Sequence, residues 1–77
     1  MNKHLYHALI SYFEGNIDKH IANIKMHTDS AVGVAEHSDH IETIEKELEI
    51  IASYEDKLNV LLKYFDEEPD RKEVIHG

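Results

Sequence analysis

The segment IETIEKELEIIASYEDKLNVLLKYF, Ile41 to Phe65, decides the fold. Its apolar residues Ile41, Ile44, Leu48, Ile51, Leu58, Leu62 and Phe65 advance by threes and fours, interrupted once, at Glu55. That period is the apolar stripe of an α-helix. Ile50, Tyr54 and Leu61 flank the stripe, so the face is wider than a two-stranded coiled coil needs and suits a bundle. Glu42 and Lys46, four apart on the outward side, add a few tenths of a kcal/mol. The helix should stop near Asp66 or Glu67, because Pro69 cannot continue it and disfavours the helical conformation of Glu68.

Upstream, Leu5, Leu9, Phe13, Ile17, Ile21 and Ile24 also step by threes and fours, with Tyr6, Ile10 and Ala22 widening the stripe. A first helix over about 3–28 follows. Gly15 interrupts it at a cost of about 1 kcal/mol relative to alanine; it marks either tolerated strain or the close approach of a second backbone. Between the helices lies DSAVGVAEHS, a turn over about 29–37 whose Gly33 suits a left-handed position. Connections of this length join antiparallel neighbours. The expected fold is all-α: an antiparallel two-helix hairpin within residues 1–68, the second helix over about 38–67, and a flexible C-terminal tail over 69–77 in which Val74 and Ile75 are available to dock on a neighbour.

A chain of 77 residues is one small domain, and domains of this size bury only ~60% of the surface exposed by the unfolded chain. Disulfides, a metal or a partner must supply the rest. There is no cysteine, which removes disulfides and thiolate metal sites. A two-helix hairpin about 37 Å long leaves too much apolar flank in water to stand alone. A homodimeric four-helix bundle is therefore expected, with Phe13, Ile17, Ile21, Ile24, Ile44, Leu48, Ile51, Leu58, Leu62 and Phe65 in its core.

Charge is asymmetric. Through Ser30, three lysines balance three acids, so all of the net charge of −8 lies in the remainder of the chain. Such a surface repels phosphate backbones and argues against direct nucleic-acid binding. No apolar run reaches the ~20 residues of a membrane span, and MNKHLYHALISYFEGN lacks the apolar core of a signal peptide, so no membrane association is expected and the chain reads as intracellular.

The run EHSDH, Glu36 to His40, admits two readings. As a helix start, Ser38 is the cap and Asp39 with Glu42 complements the helix dipole. As a metal site, His37 and His40 stand at i and i+3, with Glu36, Asp39 or His27 as further ligands. The cap is the favoured reading, and no cofactor is expected. His4 and His7 repeat the spacing as surface residues, while His20 and His27 border the core. Glu55, an acid inside an apolar row, either pairs with a group such as His20 or lies at the rim. No nucleophile elbow, phosphate-binding loop, HExxH, EF-hand pattern or Glu-x-x-His pair within the helices is present, so a non-enzymatic role is expected.

The block VGVAEHSDHIETIEKELEIIASYEDKLNVLLKYF, preceded by HLYHALISYFEGNIDKHIANIKMH, resembles small proteins encoded by contractile-tailed phages of marine cyanobacteria and related marine viral sequences. The resemblance covers roughly Leu5 to Phe65 and is most specific over Gly33–Asp39 and Tyr54–Leu58. In that group the turn is of the type GIGEHPD; here Ala35 replaces its second glycine and Ser38 its proline, which moves the cap toward Ser38. The group carries no assigned activity, so the resemblance implies phage origin and the cytoplasm of an infected bacterial host but no site residues. The leading functional expectation is a homodimeric interaction module for a host or phage protein. The alternatives are an acidic DNA mimic presenting Glu42, Glu45, Glu49 and Asp56, and a histidine-based metal-binding bundle.

Overall fold

The computed structural model describes residues 1–30 and 37–66, without the side chains of Ser30, His37 and Ser38. Two helices, α1 (Lys3–Ser30) and α2 (His37–Phe65), make up the described chain, which contains no strand. They pack against each other along their length as a hairpin. At 1.5 Å per residue the two helices, of 28 and 29 residues, are each about 42–44 Å long, so the described part of the chain is a rod.

Asn2 starts α1. Its side-chain Oδ1 accepts from the Leu5 amide at 3.1 Å, meeting one of the amide donors a helix start leaves over, and its carbonyl accepts the first hydrogen bond of the helix, from the Tyr6 amide at 2.9 Å. At the other end the Thr28 hydroxyl donates back to the Lys25 carbonyl at 3.1 Å. α1 runs two residues beyond the expected end, to Ser30, and α2 begins one residue early, at His37, and ends at Phe65. Of the turn expected over 29–37, Asp29, Ser30 and His37 are helical; residues 31–36, the Ser38 side chain on which its capping role rests, and the tail lie outside the described residues.

The register follows from three cross-helix pairs: His27 with His40, His20 with Glu47, and Phe13 with Tyr54. Each step of seven on α1 meets a step of seven back on α2, the repeat of an antiparallel coiled coil. One more step places Tyr6 level with Leu61. These two, with relative exposures of 4% and 5%, are the most buried apolar residues, and Asp66 is buried at the same end.

This seam differs from the stripes expected on both helices. On α1 the row Leu5, Leu9, Phe13, Ile17, Ile21 advances by fours, and four residues turn 400°, so the row drifts 40° per step around the helix. Its middle members are half-buried and its ends, Leu5 and Ile21, are exposed. On α2 the line that meets α1 is His40, Glu47, Tyr54 and Leu61. The row Ile41, Leu48, Glu55, Leu62 stands one residue, or 100°, away from it. Ile41 is accordingly 68% exposed and Leu48 54%. Glu55 is exposed as well, which leaves it at the rim and not in a pair with His20. Gly15 has open space where a side chain would begin, so among the described residues no second backbone approaches it.

Candidate functional site

Two features of the hairpin carry chemistry: a broad aliphatic side and a polar half of the seam. The first follows from the register. Relative to the seam lines, Ile10, Ile17 and Ile24 on α1 and Ile44, Ile51, Leu58 and Phe65 on α2 are rotated by 40°. Ile21 on α1 and Ile41, Leu48 and Leu62 on α2 are rotated by 100° in the same sense. In an antiparallel pair of right-handed helices, equal rotations carry both helices to the same side of the plane through their axes. One side of the hairpin is thus lined by isoleucine, leucine and phenylalanine, with Glu14 and Glu55 in its outer rows. Positions rotated the other way by 60° are mixed: Leu9, Asn16 and Asn23 on α1, and Thr43, Ile50, Lys57 and Tyr64 on α2.

Contact with the other helix of the same chain only half-covers that side. Ile10, Ile17, Ile24, Ile44, Ile51, Leu58 and Leu62 are half-buried, while Ile21, Ile41, Leu48 and Phe65 are exposed.

The second feature occupies the half of the seam near the turn. Glu47 Oε1 accepts from His20 Nδ1 at 2.5 Å and from Asn23 Nδ2 at 3.3 Å. A carboxylate only accepts, so His20 donates through Nδ1. The His20 hydrogen bond holds the Glu47 carboxyl below its ordinary value of 4.5 against a smaller opposing effect of burial, with Asn23 and the nearby His27 acting in the same direction as His20. One heptad further, His27 and His40 meet with their Nδ1 atoms 3.3 Å apart and their rings edge to face, 5.4 Å between centroids. The half near the chain ends is aromatic instead. Tyr54 packs against Phe13 and Tyr12, with Lys57 Nζ 4.8 Å from the Tyr54 ring centroid. The Tyr12 phenol facing it raises Tyr54 above the ordinary 10.0.

Among the described residues, no three histidine, aspartate or glutamate side chains converge as a metal-binding group. The side chain of His37 lies outside the described residues, and His40 faces His27. No described helix is long and apolar enough to cross a membrane. Comparison with protein-family models, curated proteins and solved structures returns no match for the chain. The site therefore rests on geometry.

Sequence reasoning placed His20 and His27 at the core's border, and both are half-buried there. It missed Glu47 as the partner of His20. The available signal was the spacing of seven shared by His20 and His27 on α1 and by His40 and Glu47 on α2. Among the residues expected in the dimer core, Phe13 is in the seam itself and the others lie on the aliphatic side.

Proposed function

We propose that the chain is a non-enzymatic interaction protein that works as a homodimer: two hairpins close aliphatic side on aliphatic side into a four-helix bundle, which then engages a host or phage protein. The observation that supports this reading is the displacement of the Ile41–Leu48–Leu62 row by 100° from the line that meets α1. The hairpin spends its seam on a mixture of polar and aromatic pairs and leaves its most apolar surface facing outward. A second copy of the same surface is self-complementary under two-fold symmetry. The setting, the cytoplasm of a phage-infected bacterium, is proposed on the sequence resemblance.

Sedimentation equilibrium tests the dimer. The native chain should sediment as two copies at micromolar concentration, and Ile41→Glu with Leu48→Glu should sediment as one copy with its helical circular dichroism retained. A compact single copy of the native chain would overturn the proposal. Affinity capture from infected cells addresses the partner. Recovery of host DNA-processing enzymes alone would favour the acidic mimic, whose residues Glu42, Glu45, Glu49 and Asp56 are all exposed on α2.

A further inference from the structure

The His27–His40 contact is a hydrogen bond, Nδ1 to Nδ1, whose separation also suits a bridging cation. One ring donates through Nδ1 to the other, and N–H donors ordinarily sit about 2.7–3.2 Å from their acceptors. The separation here is 3.3 Å. A zinc ion placed about 2.0–2.1 Å from both nitrogens would subtend an angle of about 104–111° between them, which brackets the tetrahedral angle. The separation of the two nitrogens therefore matches the spacing of two corners of a zinc tetrahedron.

We propose that His27 and His40 form a two-nitrogen chelate for a borderline divalent cation, zinc or copper, bridging α1 and α2 and leaving the remaining positions to water or an exogenous donor. The class of cation follows from the donors: imidazole suits zinc and copper, while magnesium and calcium require oxygen. The placement also gives the ion a structural task. Both layers of the seam near the turn, His27–His40 and His20–Glu47, are polar, so among the described residues this half has no buried apolar layer like the one Tyr6 and Leu61 provide at the other end. A bridge between the helices there supplies the staple that a domain of this size ordinarily needs. Both ligands sit on helices and both are half-buried, so the chelate needs no loop to order around it.

The test is a calorimetric titration of zinc chloride into the full chain, with magnesium chloride as the control, and imidazole nitrogen NMR of the same samples. One zinc per chain is expected, with the Nδ1 resonances of both His27 and His40 moving to metal-bound positions and no response to magnesium. His27→Gln and His40→Gln should each weaken zinc binding at least about tenfold, as removal of a direct ligand exceeds the ~10–100-fold range's lower bound for an outer-shell partner. His4→Gln with His7→Gln should leave it unchanged. Absence of zinc uptake by the native chain overturns the proposal. Uptake that survives His27→Gln overturns it too, by assigning the ion to other histidines. Because the NMR arm reads the native chain, the result stands even where a variant folds poorly.

Discussion

His20 on α1 and Glu47 on α2 meet across 2.5 Å, one heptad along the seam from the His27–His40 contact. That pair divides the hairpin. Toward the turn the helices are joined by polar groups; toward the chain ends they are joined by Phe13, Tyr54, Tyr6 and Leu61. The two halves should respond differently to substitution and to pH.

Replacing one member of the polar layer leaves the other without its partner in a partly desolvated site, whereas replacing both removes the demand. Glu47→Leu alone should lower the urea midpoint. His20→Leu combined with Glu47→Leu should restore it to the native level or above. A double variant as unstable as the two losses added together would show that the layer is held by something other than this pair.

Acid should loosen the fold through the same residue. The Glu47 carboxyl is held below 4.5 by His20, so the folded chain binds that proton less tightly than the unfolded chain does. The stabilisation is fully present above the ordinary value and is lost as pH falls through the lowered one. Urea midpoints measured from about pH 7 to about pH 3 should fall over the acid end of that range. Glu47→Gln should flatten this part of the profile, and an unchanged slope would remove Glu47 from the account.

Gly15 lies inside α1, and among the described residues no other element approaches the space a Cβ would take. Gly15→Ala should therefore gain helix propensity without a clash and stabilise the chain by about 0.5–1 kcal/mol. A rise in melting temperature of several degrees would report it. A fall would place a second copy's backbone against Gly15.

Leu61 and Glu55 provide the contrast between seam and rim. Leu61 is 5% exposed, and Leu61→Ala should cost about 2–5 kcal/mol through the cavity it leaves. Glu55 is exposed, and Glu55→Ala should change stability by no more than about 0.5 kcal/mol. Chemical denaturation of both variants at one protein concentration checks the pair, and a large loss for Glu55→Ala would put that acid inside a contact.

Much of this architecture is legible before any coordinates. The steps of three and four over Leu5–Ile24 and Ile41–Phe65 specify two helices, because hydrophobic period is a local property of the chain. The short connection makes them antiparallel neighbours, and the surplus of apolar residues over what one hairpin covers is countable from the sequence. Even the Asn2 cap had a signal, an asparagine directly before the first helical residue.

The rotational setting of each helix was not legible. The apolar positions of α2 span from Leu61 and Tyr54 on one edge to Ile41 and Leu48 100° away, and a stripe that wide is compatible with several lines of contact. Only the packed pair selects one, because side chains from both helices must interdigitate at the same level. That selection made Glu47 the partner of His20, left Glu55 in water and brought His27 to His40. Periodicity determined which residues form helices; tertiary packing decided which of them meet, since a meeting depends on register and rotation that neither helix carries alone.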